Sequence, residues 1–331
     1  MNRSSDGEAA SKRKRRGREA KIGINPSYPM GETPVIEIEK LRKFYRGKYC
    51  GVDGVDLTVC QGEVFGFLGP NGAGKTTTIR ILLDLIKADS GRATVFGLDV
   101  HRDSVEIRRR TGYLPGELGL YDGVIARELV DYFGALRGSV DARIVRNLTD
   151  RLGIDLSRRV REYSKGNKQK LGILLAFFFD PELVILDEPT SSLDPLLQNE
   201  FYEFLAEESL KGRTVFMSSH VLSEVERVCD RVGIIRAGKI VAVERIETLK
   251  AKMGEIVTVE FDEAFDPGDF EMPGVSRTDV DGRTLTLHVI GNHDGVLKAL
   301  SHYKIRRFLA TEYSLEDLFL EYYHGSEGND E

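Results

Sequence analysis

The chain has 331 residues, 41% of them hydrophobic, and a formal net charge of -6, which is room for one large domain and a smaller one. Its longest uninterrupted apolar run, residues 173–179, is far too short to cross a bilayer, and the polar, basic start has no apolar signal core. The three cysteines, Cys50, Cys60 and Cys229, are scattered without C-x-x-C spacing, which excludes a disulfide scaffold, argues against zinc, and predicts core positions in a reducing compartment.

Charge is unevenly spread. Residues 1–30 hold eight Lys/Arg against three Asp/Glu, so the remaining 301 residues carry -11, and no nucleic-acid partner is expected for a body that acidic. The basic cluster at 12–18, followed by Pro26, Pro29 and Pro34, reads as a disordered tail over 1–33. Contact with anionic lipid or nucleic acid is its functional alternative, and Met30 is an alternative start. From Val35 the alternation VIEIEKL predicts a half-buried strand, and Val55, Leu57 and Val59 predict a second. Tyr45, in the turn-rich KFYRGKYCG between them, is an exposed aromatic.

The stretch at 63–85, EVFGFLGPNGAGKTTTIRILLDL, reads as a buried strand over 64–68, a glycine-rich loop and a helix. Residues 69–76 fit G-x-x-x-x-G-K-[ST] at every fixed position, the Walker A pattern. Gly69, Gly72 and Gly74 let the backbone curl so that successive N–H groups point at phosphates. Lys75 adds a point charge, Thr76 offers a hydroxyl to Mg²⁺, and the helix that follows presents its positive end to the same anion. Nucleotide binding follows from this pattern.

Asp89-Ser90-Gly91 marks a turn and 92–96 a returning strand; 123–162 is helical in pattern, with Leu129, Tyr132, Phe133 and Leu136 spaced as a core-facing stripe. A helix over 168–179 is stopped by Asp180-Pro181. The segment LVILDEPT then describes a parallel strand delivering Asp187 to its C-terminal edge, where ligands of open α/β sheets bind. Asp187 is the expected magnesium acid of Walker B, and Glu188 is placed to activate a water for attack on the γ-phosphate. A strand over 214–217 ends in Ser218-Ser219-His220, which puts His220 at the same sheet edge. Beyond Lys250, strands over 257–261, 275–280, 284–290 and 306–310, with helices over 295–303 and 315–323 and a hairpin turn at Asp281-Gly282, predict a small α/β sandwich.

Taken in this order, the motifs resemble the ATP-binding subunit of an ABC transporter over residues 35–250. Tyr163-Ser164-Lys165-Gly166-Asn167 stands where that family carries its LSGGQ signature. The resemblance implies a P-loop ABC ATPase core (34–250) with an antiparallel β subdomain and a helical insert at about 113–165. A C-terminal α/β domain (251–324) and an acidic tail (325–331) follow. It implies ATP and Mg²⁺ as cofactors, with Thr76 and Asp187 on the metal and Pro70, Asn71, Ala73 and Thr77 sharing the phosphate loop's contacts. Tyr45 would stack on adenine, His220 would be the switch histidine, and Ser192-Leu193-Asp194 would form the D-loop. Ser164, Lys165, Gly166 and Asn167 would face the γ-phosphate held by the opposite subunit of a dimer, with a homodimer expected.

Two departures stand out. Where the family carries a glutamine, this chain reads Gly112-Tyr113-Leu114-Pro115-Gly116-Glu117, so Glu117, one residue past the expected position at Gly116, is the candidate replacement. Lys165 replaces a signature glycine. The single nucleotide domain, the YLP segment and the ending SLEDLFLEYY resemble ABC-2 exporters, which implies a separate membrane-spanning permease and a place on the cytoplasmic face of the membrane. A soluble ABC protein acting on ribosomes is the alternative, favoured by the basic tail but not by the single Walker A. A DNA-repair ATPase would need a long heptad-bearing insert, and only about ninety residues separate Walker A from the signature.

Overall fold

The computed structural model describes residues 33–46, 49–138 and 140–312. The basic tail, the alternative start at Met30, the last expected helix and the acidic end lie outside the described residues.

Strand β1 (Pro34–Tyr45) pairs antiparallel with β2 (Tyr49–Cys60). Next comes β3 (Val64–Leu68), buried along its whole length, and then helix α1 (Lys75–Leu82). Its alternate residues serve two cores: Val64 and Leu68 pack on one face, Phe65 and Phe67 on the other. Strands β4 (Ser90–Val95) and β5 (Leu98–Asp99) return to β1 and complete a four-stranded antiparallel sheet, order β2-β1-β4-β5. This sheet covers the Phe65 side of β3.

Helix α2 (Ser104–Arg110) runs directly into β6 (Thr111–Leu114), which opens the C-terminal half of the central sheet. Helices α3 (Ala126–Arg137), α4 (Ala142–Leu152) and α5 (Lys165–Phe177) follow, then β7 (Leu183–Asp187), α6 (Pro195–Leu210), β8 (Thr214–Ser219), α7 (Leu222–Val228), β9 (Arg231–Arg236), β10 (Lys239–Arg245) and α8 (Ile246–Met253). The six-stranded sheet has the order β10-β9-β3-β8-β7-β6, parallel throughout except for the antiparallel β9–β10 hairpin. Val184 and Leu186 of β7, and Val215 and Met217 of β8, join the same core as α3 to α6. Five parallel strands thus present their C-terminal ends side by side, which is where the phosphate loop, Asp187 and His220 emerge.

Strands β11 (Glu255–Phe261), β12 (Val275–Asp281), β13 (Thr284–Val289) and β14 (Ile305–Glu312) form a third, antiparallel sheet, order β12-β13-β11-β14. Helix α9 (His293–Leu300) covers one of its faces through Val296 and Leu300, and Phe270 closes this separate core. The hairpin at Gly282 falls as expected, with Asp281 paired to Thr284 and Gly282 at φ 59°.

The structure corrects two expectations. The α3 stripe is not all core: Leu129 is 2% exposed and Phe133 partly buried, but Tyr132 and Leu136 are 53% and 66% exposed. The buried face runs through Ala126, Leu129, Val130 and Gly134, so Tyr132 and Leu136 sit on the flank that no neighbouring element covers. Nor are the cysteines all core, because only Cys229 is buried. Cys50 is exposed at the strand end next to Tyr45's partner, and its thiol donates to the Ala237 carbonyl.

Candidate functional site

The phosphate loop leaves β3 at Leu68 and is tied at both ends. Gly69 N–H donates to the Ser219 carbonyl at the end of β8, and Gly238 N–H donates to the Ala73 carbonyl. Gly74 caps α1 at φ 115°, a conformation open to glycine alone at low cost. Thr78 Oγ1 donates back to its carbonyl, so the helix start is fixed where its unpaired N–H groups face the loop.

Lys75 is buried and its ammonium is held inside this loop. Nζ donates to the Gly69 carbonyl at 2.6 Å and the Pro70 carbonyl at 3.1 Å, and lies 3.2 Å from Glu188 Oε1. Thr76 Oγ1 donates to Asp187 Oδ2 at 2.8 Å, and Ser218 Oγ donates to Asp187 Oδ1 at 2.6 Å. Glu188 is the first residue beyond β7 and takes a φ of 51°, a strained position for a side chain of its size. Its N–H donates to Ser218 Oγ at 3.1 Å, and its Oε2 lies 2.6 Å from His220 Nδ1. Walker A, Walker B and the histidine, separated by more than a hundred residues, thus form one continuous polar network.

Tyr45 ends β1 beside the start of α1. It is 38% exposed, with its hydroxyl 3.3 Å from Thr77 Oγ1, so a partly exposed aromatic stands beside the residue that follows Thr76. The metal expectation is compatible with what lies here: a hydroxyl and a carboxylate oxygen together, the hard-oxygen donor set that Mg²⁺ takes alongside phosphates. A side chain begun at Gly116 would meet Asp187 Oδ2 at 3.3 Å, so its glycine keeps space open beside that carboxylate. Among the described residues no group of three or more His, Cys, Asp or Glu is placed to hold a metal ion.

The remaining expected residues are placed as follows. Gly116 borders Asp187, whereas Glu117 points to solvent. Ser164 caps α5, accepting the Asn167 N–H at 3.2 Å, and Ser164 and Lys165 are exposed. Among the described residues no hydrogen bond or ion pair joins 164–167 to the phosphate loop. Gly166 instead approaches the Ser192 carbonyl of the same chain. Asp194 caps α6 by accepting from the N–H groups of Leu196 and Leu197.

Sequence reasoning missed several participants. Ser218 bonds both Walker B residues, Gln169 Nε2 donates to the Pro189 carbonyl at 2.7 Å, and Gln198 Nε2 donates to the Thr190 and Leu193 carbonyls. Tyr113, at the end of β6, has its phenol pushed up to about 12, first by burial and second by the charge of Asp187. The partners of Ser218, Gln169 and Gln198, and the closeness of Tyr113 to Asp187, are recognisable only once strands and helices are side by side.

A Walker loop, a carboxylate pair and a histidine at the C-terminal edge of a parallel sheet define a P-loop ATPase. The family model for ABC transporters matches residues 52–191. ABC transporter ATP-binding protein NatA of Bacillus subtilis is 40% identical over 202 residues, covering 59% of this chain and 82% of the relative. The bacitracin transport ATP-binding protein BcrA of Bacillus licheniformis is 34% identical over 302 residues, 87% of this chain and 90% of that one. A solved ATP-binding subunit of an ABC transporter superposes with a TM-score of 0.60 at 30% identity, covering 66% of this chain and 92% of it. The chain belongs to the family of ABC transporter ATP-binding proteins, and its activity is ATP hydrolysis coupled to transport.

Proposed function

We propose that two copies of this chain bind two ATP molecules between them and use closure and reopening to drive export through a separate membrane-spanning permease at the cytoplasmic face. Among the described residues no helix is long and apolar enough to cross a membrane, and in this reading a partner supplies the transport path. Resemblance to the ABC-2 class, together with a relative named for bacitracin transport, supports export.

In this reading Tyr45 stacks on adenine while residues 69–77 hold the phosphates. Thr76 and Asp187 would hold Mg²⁺, which when bound neutralises charge on the β- and γ-phosphate oxygens. Lys75 contacts the phosphates, and Glu188, whose Oε1 lies 3.2 Å from Lys75 Nζ, stands next to the same phosphates. Glu188 accepts a proton from the attacking water as its oxygen bonds to the γ-phosphorus and the bond to the ADP oxygen breaks. His220, 2.6 Å from Glu188, holds that carboxylate in line and contacts the γ-phosphate. Ser164 and Gly166 of the opposite copy cover the outer side, Ser192 and Asp194 shape the dimer seam, and Glu117 swings toward the space beside Gly116. The permease docks on the insert flank marked by Tyr132 and Leu136.

The observation that carries this reading is the joining of Lys75, Glu188 and His220 in one network, while the signature in the same chain faces solvent. Light scattering of the Glu188→Gln protein tests it: ATP converts monomer to dimer, and the added change Ser164→Arg abolishes that conversion. A Glu188→Gln protein that stays monomeric with ATP and Mg²⁺ contradicts the shared site.

A further inference from the structure

Strands β7 and β8 reach the site side by side, with Asp187 opposite Ser218. Beyond that point the two chains diverge, one toward α6 and the other into α7. Ser218 ties the near side, through Asp187 and the Glu188 N–H. Strand alternation turns Ser219 to the opposite face. There Ser219 Oγ donates to Glu224 Oε2 at 2.6 Å, and Thr190 Oγ1 donates to Glu224 Oε1 at 2.6 Å.

We propose that Glu224, on α7, is a positioning residue for the Glu188–His220 pair. It clasps the segment that follows Glu188 to the strand end that precedes His220. An ionised carboxylate only accepts, and here each oxygen receives one hydroxyl from a different strand exit, at the short length of a charge-assisted bond. Ser219 and Thr190 are 0% and 1% exposed, so neither hydroxyl can exchange this partner for bulk water without opening the core. The buried Tyr202 phenol of α6 lies in the same cluster, and its pKa is pushed up by burial first and by the charge of Glu224 second. On the other side Gln169 holds the Pro189 carbonyl.

The clasp is needed because Glu188 sits at φ 51°, a conformation that persists only when its surroundings over-determine it. Thr190 is two residues after Glu188, and Ser219 is the residue before His220. Fixing their separation therefore fixes the two backbones from which the carboxylate and the imidazole meet. The role assigned to Glu224 is positional, and the inference rests on the roles given above to Glu188 and His220.

The test compares steady-state ATP hydrolysis by the full chain carrying Glu224→Ala, Glu224→Gln, Glu224→Asp or Glu188→Gln, with thermal midpoints recorded for each. Glu224→Ala is expected to lower kcat at least tenfold, on the scale of a misplaced reacting group, with KM for ATP within threefold. Glu224→Gln spans the same gap and restores kcat to within threefold of the parent, since its amide can meet one hydroxyl as acceptor and the other as donor. Glu224→Asp, one methylene short, stays as slow as the alanine variant. Unchanged kcat in Glu224→Ala overturns the inference, as does a loss confined to KM or a glutamine variant as slow as alanine. If the alanine variant does not fold, the glutamine and aspartate variants decide by the same comparison. A Glu188→Gln protein that turns over normally overturns the catalytic reading and the inference together; a dead Glu188→Gln beside a fully active Glu224→Ala overturns the inference alone.

Discussion

Lys75 Nζ and Glu188 Oε1 face each other across 3.2 Å, so the carboxylate proposed as the base is paired with the cation proposed to bind phosphate. Removing the carboxylate with Glu188→Gln is expected to cut kcat by about 10²–10⁴-fold, the range for general-base removal, while ATP affinity changes little. Single-turnover hydrolysis and nucleotide titration measure the two halves of that statement. Tyr113 gives a pH signature. Its folded pKa of about 12 lies above the ordinary tyrosine value, so above pH about 10 the unfolded chain loses a proton that the folded chain keeps. Stability attributable to this residue therefore falls as pH rises from about 10 toward 12. Tyr113→Phe should lack that slope, and the difference in denaturation midpoint between variant and parent, taken at pH 8 and pH 11, should move in the variant's favour.

Among the elements, α3 carries the sharpest contrast. Leu129 and Leu136 share its spacing, yet one is sealed against the insert core and the other stands in solvent. Leu129→Ala should cost about 2–5 kcal/mol by cavity formation, and Leu136→Ala about 0.5 kcal/mol or less, as chemical denaturation can show. If the exposed flank is the permease contact, Tyr132→Glu with Leu136→Glu leaves hydrolysis by the isolated chain within twofold and abolishes co-purification with the membrane partner. Retained co-purification would move the docking surface elsewhere. The elements also show what local sequence conveys. Strand β3, the phosphate loop and α1 are contiguous, and their residue types are dictated by one another, so the pattern at 63–85 was readable without the fold. Strands β7 and β8 were readable for the same reason, as short apolar runs ending in polar groups. The hairpin of β9 and β10 was not, because β10 lies at the sheet edge with no residue fully buried, and neither strand shows a clean alternation. Ser218, Gln169 and Glu224 were invisible as site residues because hydroxyl, amide and carboxylate partners 20 to 34 residues apart come together only through strand pairing and helix packing.

At the scale of the whole molecule, the described residues contain three cores, and the third is built by β11, β13, α9 and the turn carrying Phe270, with Val275 of β12 packed against it. The two larger cores are served by the two faces of the same central strands, so the antiparallel sheet and the helical insert are joined through the sheet that carries the catalytic edge. In the proposed function, movement of the insert relative to that edge carries phosphate chemistry to the permease. Among the described residues the signature at the start of α5 makes no hydrogen bond or ion pair with its own phosphate loop, so in this account a single chain holds two half-sites and no complete one.

That claim is tested most directly by capturing the Glu188→Gln protein from detergent-solubilised membranes with ATP and Mg²⁺ and identifying by mass spectrometry what accompanies it. The account predicts a dimer of this chain with a multi-spanning membrane protein in stoichiometric amount, lost when ATP is omitted or when Ser164→Arg is added. Recovery of ribosomal proteins with no membrane protein would contradict it.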